Sequence, residues 1–266
     1  MKILLLCIAT LSLSCAKPRN VDSVSEAAPP PDNYKNKLRT VLRSAEIPPS
    51  ISQKILATKE NQFMPELLAV LDGSDKYLRT LIDKQHPFNP LNYVPRDLVE
   101  LTNEGAFRVS KNGMLLRYPA ALALEEMARA GHEEGITLLA SSTYRSYDYQ
   151  VEVYDRNVRQ SGQETADRES ARPGYSQHQL GLVIDFGSIT NDYAKTAPGK
   201  WLYENASKYG WSLSFPDGYE PITGYRWECW HYRYVGKPLT SFIDKYFGGI
   251  QQYALRFIYE WENYPN

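Results

Sequence analysis

Two of the four histidines in this 266-residue sequence lie near predicted strands and have an acidic residue close by. His178 precedes Asp185 by seven positions, and His231 follows Glu228 by three. A catalytic zinc ion takes three protein ligands from histidine and carboxylate side chains, and it keeps one position open for water beside a base. Two histidines and two carboxylates are enough to provide three ligands and a base. This pattern points to a metal-dependent hydrolase.

Asp185 stands in an apolar setting, within a stretch that runs from Leu180 to Phe186. Such a β-branched run is typical of an inner strand. An unpaired carboxylate buried in apolar surroundings costs several kcal/mol, so a chain that buries one usually provides a partner for it. Coordination of a divalent cation offsets that cost better than an incidental ion pair does. We therefore expect a metal ion to be the partner of Asp185.

Neither pair of residues is specific by itself, because a strand histidine is more often a core residue than a metal ligand. On an ideal strand, residues three apart face opposite sides, so Glu228 can share a site with His231 only from an irregular turn that leads into the strand. On a regular strand Cys229 would accompany His231 instead. We expect Cys229 to be a buried, unreactive thiol, because no histidine is placed to activate it. His86 and His132 are expected to be solvated loop residues.

The elements that would hold these residues alternate without a regular βαβ repeat, which favours an α+β fold. The predicted order is a helix at 119–131 closed by Gly131, a strand at 136–144, a helix at 147–162, a polar loop at 163–175, a strand at 180–186, a helix at 199–210, a strand at 227–236, and helices at 238–249 and 250–263.

The first fifteen residues, MKILLLCIATLSLSC, have the form of a secretory signal peptide. The ending SLSC also resembles a bacterial lipoprotein box, in which Cys15 would be lipidated; ordinary cleavage near Ala16 is the alternative. We favour lipidation, because residues 16–33 are polar and rich in proline, as in a tether. The sequence thus predicts an exported protein of the periplasm or cell envelope, which contacts the membrane only through this anchor.

The remaining chain divides into a helical region at 34–88, a main domain at 89–250 and a C-terminal helix at 251–266. The short amphipathic patterns of the helical region leave open whether it packs on the main domain or folds partly by itself. The formal net charge of −1 gives no electrostatic reason to expect nucleic acid as a partner.

Three motifs in the main domain, in the expected order, resemble those of one peptidase family. SQHQLGLVID (176–185) is similar to the Ser-x-His-x-x-Gly-x-Ala-x-Asp signature of the VanY-type D-alanyl-D-alanine carboxypeptidases, and ECWH (228–231) matches their Glu-x-Trp-His. STYRSYDYQ (142–150) resembles their Tyr-Arg-Ser segment. The related L,D-carboxypeptidases share these motifs, and the likeness covers about residues 89–236. Val183 replaces the usual alanine of the family but removes no ligand.

The resemblance implies an α+β fold, with an antiparallel-sheet zinc peptidase domain, flanking helices and a small N-terminal helical region. It also assigns the site, with the Zn²⁺ ligands His178, Asp185 and His231, the catalytic base Glu228, the catalytic and substrate-binding Arg145, and the substrate-binding Gln150 and Ser176. The Arg145 guanidinium suits recognition of the terminal carboxylate of a substrate, and it would also lie near the scissile carbonyl.

The activity that the resemblance implies is removal of terminal D-alanine from peptidoglycan stem peptides by a D,D-carboxypeptidase. An L,D-carboxypeptidase or a peptidoglycan endopeptidase of the same family remains an alternative, as does a non-catalytic wall-binding protein. Retention of Glu228 favours an enzyme, since a purely structural zinc site would not need this residue.

Overall fold

The computed structural model describes residues 33–265. Its α-helices are α1 (Asn33–Ser44), α2 (Pro49–Ala57), α3 (Glu60–Leu71), α4 (Tyr118–Glu133), α5 (Tyr147–Ser161), α6 (Gln163–Glu169), α7 (Ala197–Asn205), α8 (Glu220–Thr223), α9 (Lys237–Phe247) and α10 (Gln251–Glu262). Short 3-10 helices lie at Lys76–Leu78, Gln177–Leu180, Asn191–Lys195 and Ala206–Tyr209. The strands are β1 (Leu98–Glu100), β2 (Arg108–Val109), β3 (Leu115–Arg117), β4 (Leu139–Ser142), β5 (Val183–Phe186), β6 (Trp211–Leu213) and β7 (His231–Tyr234).

The predicted signal peptide, its Cys15 and nearly all of the predicted tether lie outside the described residues. Among the helices in residues 33–265, none has the length and apolar character that crossing a bilayer requires.

A five-stranded sheet with the order β2–β4–β5–β7–β6 forms the centre of the main domain. The strands β4, β5, β7 and β6 pair antiparallel, as the sequence predicts, whereas the edge strand β2 pairs with β4 in parallel. The strands β1 and β3 form a separate antiparallel pair. All four residues of the middle strand β5 are buried, in agreement with its apolar sequence.

The buried apolar side chains form two clusters. The first packs the sheet against α4 and α7, and it includes Met127, Ile184 and Trp211. The second joins α1, α2 and α3 to α9 and α10, and it includes Phe63 and Phe242, whose ring centroids are 5.5 Å apart. The N-terminal helices are therefore packed on the rest of the chain through its last two helices.

Arg233 on β7 connects the N-terminal part of the chain to the sheet. Its side chain is fully buried, and Nη2 donates hydrogen bonds to the carbonyls of Tyr77, Leu78 and Thr80 at 3.0, 3.2 and 2.8 Å. β7 also carries His231. The irregular segment that follows α3 is thus held against the strand that provides a predicted metal ligand.

The helix α4 extends beyond its predicted end. Gly131 is a buried helical residue rather than a cap, and a Cβ at this position would lie 3.4 Å from the Trp201 indole. The helix therefore continues to Glu133, and His132 lies in its exposed last turn rather than in a loop.

Three other predictions on local structure differ from what the structure shows. The stretch 163–175, predicted to be a polar loop, begins with the short helix α6, in which Ala166 is the buried residue. β4 is shorter than the predicted strand at 136–144. The predicted strand at 227–236 begins only at His231, so the residues before it form an irregular turn.

Candidate metal centre and active site

His178 lies in the 3-10 helix that precedes β5. Its Nδ1 donates a hydrogen bond to the Thr143 carbonyl just after β4 (2.7 Å), which leaves Nε2 facing Asp185. Gly181 follows this helix with a φ of +67°, and a Cβ there would come within 2.9 Å of Leu98. Both conditions favour glycine in the turn that directs His178 into the site.

Asp185 and His231 are directly paired across β5 and β7, so their side chains lie on the same face of the sheet. Asp185 Oδ1 is 3.1 Å from His231 Nδ1, and Asp185 Oδ2 is 3.2 Å from His178 Nε2. All three residues are buried, and one ligand atom from each lies within 4.8 Å of the others. The structure thus brings together the three residues that the resemblance assigns to the metal.

The hydrogen bonds of the two histidines leave one nitrogen of each ring free to bind a cation. His178 Nε2 and Asp185 Oδ1 are buried and have no hydrogen-bond partner in the part of the chain that the structure describes. His231 Nε2 lies 3.3 Å from Gln177 Oε1, which also accepts a hydrogen bond from the Ser214 hydroxyl. Metal-binding histidines commonly donate their other ring N–H to an oxygen in this way.

The electrostatics of these residues also fit a bound cation. Burial, together with the nearby charge of Arg145, lowers the pKa of His178 to about 4, so the ring is neutral at pH 7. Burial opposes ionisation of Asp185, but its contacts with His178 and His231 hold its pKa well below the ordinary value. A cation bound between the Asp185 carboxylate and the ring lone pair of His178 would offset the cost of burying that charge. Two imidazoles and a carboxylate are a donor set that catalytic zinc accepts.

Glu228 lies in the turn that leads into β7, as sharing a site with His231 requires. Its N–H donates to the Phe215 carbonyl (3.0 Å), and its own carbonyl accepts from the His231 N–H (3.1 Å). The turn places Glu228 Oε2 at 3.5 Å from His231 Nδ1. Burial, and then the charge of Asp185, raises the pKa of Glu228 to about 8. A carboxyl with a pKa near neutrality can accept and return a proton at neutral pH.

Arg145 follows β4 and reaches the same site. Its Nη2 lies 3.6 Å from Asp185 Oδ2, and its Nη1 donates to Gln150 Oε1 at 2.9 Å. Gln150 is fully buried on α5, and its amide nitrogen donates to the Ala171 carbonyl at 2.7 Å. The resemblance assigns Gln150 to the substrate; in the structure its side chain contacts the Arg145 guanidinium and lines neither the main cleft nor the cavity around the histidines.

The site opens onto a cleft of about 620 Å³, the main cleft, whose lining includes Arg145, Asp185 and Glu228. A small cavity of about 40 Å³, also bordered by Arg145 and Glu228, is lined by both metal-site histidines. Ser176 is buried and lines the same small cavity. The predicted substrate-binding serine therefore lies beside the histidines.

The other cysteine and histidine predictions have mixed outcomes. Cys229 is buried, as predicted, and its Sγ lies 3.7 Å from the Thr190 carbonyl; burial raises the pKa of its thiol, which disfavours the reactive thiolate. His86 differs from a solvated loop residue, because it is half-buried and its Nδ1 lies 2.7 Å from Asp83 Oδ1.

Sequence reasoning missed the groups that orient the two histidines. Thr143 acts through its main-chain carbonyl, which leaves no trace in residue type. Gln177 holds the His231 ring, and its only signal in the sequence is its position next to His178. Phe215 packs on His231 with ring centroids 4.6 Å apart, although the two residues belong to different segments.

Comparison with known proteins gives consistent results. Residues 113–237 match the family model of VanY, D-alanyl-D-alanine carboxypeptidase. The Bacillus subtilis (strain 168) protein YodJ, which carries the name of a carboxypeptidase, is 36% identical over 217 residues that cover 77% of this chain and 79% of YodJ. A D-alanyl-D-alanine carboxypeptidase of Enterococcus faecium is 29% identical over 62% of this chain and 53% of its own length.

Two solved structures resemble the fold. The LdcB LD-carboxypeptidase is 36% identical, with a TM-score of 0.56 over 64% of this chain and 85% of LdcB. The D,D-pentapeptidase VanY from a VanB-type resistance cassette, a variant solved in complex with Zn(II), is 26% identical, with a TM-score of 0.56 over 67% of this chain and 99% of VanY. The chain therefore belongs to the VanY family of D-alanyl-D-alanine carboxypeptidases and is a peptidase.

Proposed function

We propose that this chain is a zinc-dependent metallocarboxypeptidase that removes terminal D-alanine from peptidoglycan stem peptides. One observation carries the proposal: the ligand atoms of His178, Asp185 and His231 lie within 4.8 Å of one another, with Glu228 3.5 Å from His231 beside the main cleft. The D-alanyl-D-alanine carboxypeptidases among the relatives support the substrate, and the VanY structure with Zn(II) supports the metal.

Each residue of the centre has a proposed role. His178 Nε2, His231 Nδ1 and an Asp185 oxygen would hold the zinc, which would supply Lewis-acid chemistry by polarising the scissile carbonyl and acidifying the attacking water. Glu228 takes a proton from that water and returns it to the leaving amine. The hydrogen bonds of both rings to oxygen acceptors keep their ligating nitrogens directed at the site.

Arg145 is the proposed substrate-binding cation. Its planar guanidinium suits a carboxylate geometrically, and its charge also stabilises a developing oxyanion. Gln150 is a positioning residue, because it contacts the Arg145 guanidinium and not the main cleft. Ser176 is proposed to hydrogen-bond the substrate peptide from the small cavity beside the histidines.

An L,D-carboxypeptidase is the second candidate, since LdcB is 36% identical to this chain and VanY is 26% identical. The test incubates zinc-loaded protein with a pentapeptide stem ending in D-Ala-D-Ala, and separately with a tetrapeptide in which one D-Ala follows an L-configured centre. Mass spectrometry identifies the released amino acid, with Glu228→Gln as the inactive control. Release of D-alanine from the pentapeptide supports the proposal, release from the tetrapeptide alone supports the second candidate, and release from neither contradicts both.

Kinetic measurements on Arg145 variants distinguish a carboxypeptidase from an endopeptidase. Losing a charge-assisted contact in a partly desolvated site costs on the order of 2–5 kcal/mol, so Arg145→Ala should lower kcat/KM on peptides with a free terminal D-Ala. Arg145→Lys should be intermediate, because it restores the charge but not the planar fork. Equal losses on free and C-terminally amidated peptides would assign Arg145 to the oxyanion. Efficient cleavage of amidated peptides by the wild type would favour an endopeptidase.

The location of the protein follows from the proposed substrate. Peptidoglycan lies outside the cytoplasmic membrane, so an enzyme that trims it must be exported. The signal-like segment at 1–15 supports export, and the SLSC ending supports a lipid anchor on Cys15 in the cell envelope.

A further inference from the structure

A second cavity adjoins the catalytic residues outside the main cleft. This side cavity has a volume of about 370 Å³ and is lined by Lys84, Asp167, Ser170, Arg172, Tyr175 and Tyr225. Ser170, Tyr175 and Tyr225 also line the small cavity around the two histidines. Arg145 lines the main cleft and the small cavity but not the side cavity. The side cavity and the main cleft are therefore neighbouring spaces that share Ser170, and the side cavity borders the small cavity around the histidines.

Lys84 comes from a different part of the chain than the other lining residues. It lies in the irregular segment between the 3-10 helix at Lys76–Leu78 and β1, outside the residues 113–237 that match the family model. Its Nζ is 4.8 Å from the centroid of the Tyr225 ring. Its alkyl stem passes over Gly224, where a Cβ would come within 2.9 Å of Lys84 Cδ. The stem of this exposed lysine thus lies along the cavity wall.

The carboxylates near Lys84 are already engaged by arginines. Arg172 donates two hydrogen bonds to Asp167, at 3.2 and 3.1 Å. Arg168 donates two to Glu220, at 2.6 and 2.8 Å. Among the residues that the structure describes, Lys84 forms no ion pair of its own. Together, the two arginines, Lys84 and the two carboxylates carry one net positive charge. Lys84 is the one of these three cations that has no ion pair in the described residues.

Partial burial acts on this unpaired charge. It lowers the pKa of Lys84 from its ordinary value, because the ammonium loses hydration, and the opposing charges of Asp167 and Glu220 are countered by those of Arg172 and Arg168. The electrostatic attraction between a partly desolvated ammonium and an incoming carboxylate is stronger than that of a fully hydrated surface lysine. The reason is that the effective dielectric constant near the cavity wall is lower than that of water.

We infer that the side cavity is a subsite for a carboxylate of the substrate on the amino-terminal side of the scissile bond, and that Lys84 selects it. This inference rests on the proposed function, which it narrows to acidic peptides. With Arg145 proposed for the terminal carboxylate, the side cavity offers a space for the preceding part of the peptide, because it borders the small cavity around the two histidines. A lysine ammonium, with its rotatable donors, suits a single carboxylate whose orientation varies.

The test compares two peptides that differ in one group. One carries a glutamate upstream of the terminal D-Ala, and in the other that carboxylate is a carboxamide. The variant Lys84→Met keeps the stem that packs on Gly224 and Tyr225 but removes the charge, and Lys84→Arg restores the charge. Lys208→Met is the matched control, because Lys208 is an exposed lysine that does not line the three spaces described above. Steady-state kinetics and calorimetric binding are measured with zinc-loaded protein.

For Lys84→Met we expect KM on the acidic peptide to rise about 3- to 10-fold, with kcat and the KM of the carboxamide peptide unchanged. Lys84→Arg should restore most of the loss, and Lys208→Met should behave as the wild type. An equal change for both peptides, or no change for either, would overturn the inference. The inference would also be overturned if the effect of Lys84→Met disappeared only on peptides with an amidated C-terminus. That result would mean that Lys84 binds the terminal carboxylate.

The same measurements separate the subsite from the proposed function. Lys84-dependent binding of the acidic peptide without release of an amino acid would support the subsite and contradict the carboxypeptidase. Release of D-alanine that is indifferent to Lys84 and to the upstream carboxylate would support the carboxypeptidase and overturn the subsite.

Discussion

Replacing Gln150 by methionine tests whether Arg145 depends on a fixed orientation. Methionine is similar in length and volume to glutamine, but its thioether is only a weak acceptor, so the change removes polar contacts without opening a large cavity. Gln150 is fully buried and binds Arg145 Nη1 at 2.9 Å and the Ala171 carbonyl at 2.7 Å. Both of these groups lose their partner in the variant.

The expected loss of stability follows from these two contacts. A hydrogen bond to a charged group is worth about 1.5–3 kcal/mol, and a neutral one about 1 kcal/mol. Because the Arg145 side chain borders the main cleft, water can replace part of its contact, and we expect a total near the lower end, about 2–3 kcal/mol. For a chain of this size that loss lowers Tm by about 4–12 °C. A guanidinium freed to move should also lower kcat/KM by about 10- to 100-fold.

Thermal unfolding and initial rates on a D-Ala-terminated peptide, measured well below Tm, check both effects. Gln160→Met is the control, because Gln160 is an exposed residue of the same helix. Gln150→Glu keeps an acceptor for Arg145 and should retain more activity than Gln150→Met. Zinc content should stay the same in all variants. A Gln150→Met protein with reduced Tm but wild-type kcat/KM would refute the positioning role.

Three further outcomes are expected. The purified protein should carry about one zinc per chain, and a chelator should abolish turnover until zinc is restored; full activity without metal would contradict the metal assignment. Glu228→Gln should keep zinc but lose most turnover, because an amide cannot accept the proton of the attacking water. His231→Ala should lose both zinc and turnover. If metal analysis finds no zinc in Glu228→Gln, Glu228 is a metal ligand instead. Labelled fatty acid should enter the wild type and not Cys15→Ala, and unlipidated wild-type protein that begins near Lys17 would indicate ordinary signal cleavage.

The candidate site could be anticipated from sequence because its residues lie in short motifs. His178 and Asp185 are separated by one turn and one strand, and Glu228 and His231 by one turn, so local spacing restricts where their side chains lie. Spacing alone left one condition open, namely an irregular backbone at Glu228. The structure meets that condition with a turn stabilised by a hydrogen bond from its N–H to the Phe215 carbonyl.

The remaining features depend on contacts between distant segments, which no local pattern contains. Gln150 is buried between the Ala171 carbonyl and the Arg145 guanidinium. Lys84 lines the side cavity because its segment runs beside Tyr225. Gly131 lies inside α4, against the Trp201 indole. In each case the partner is far along the chain, so residue type and periodicity could not indicate it.

The packing of α1 on α10 has a consequence for the order of folding. The rings of Tyr34 and Trp261 lie 6.3 Å apart, and Lys37 Nζ is 4.5 Å from the Trp261 ring centroid, although more than 200 residues separate these positions. Contacts so distant in sequence form late, because a long loop must close before they are made. During synthesis, α1 cannot make these contacts until α10 has been made. The second hydrophobic cluster is therefore completed only after α10 has left the ribosome.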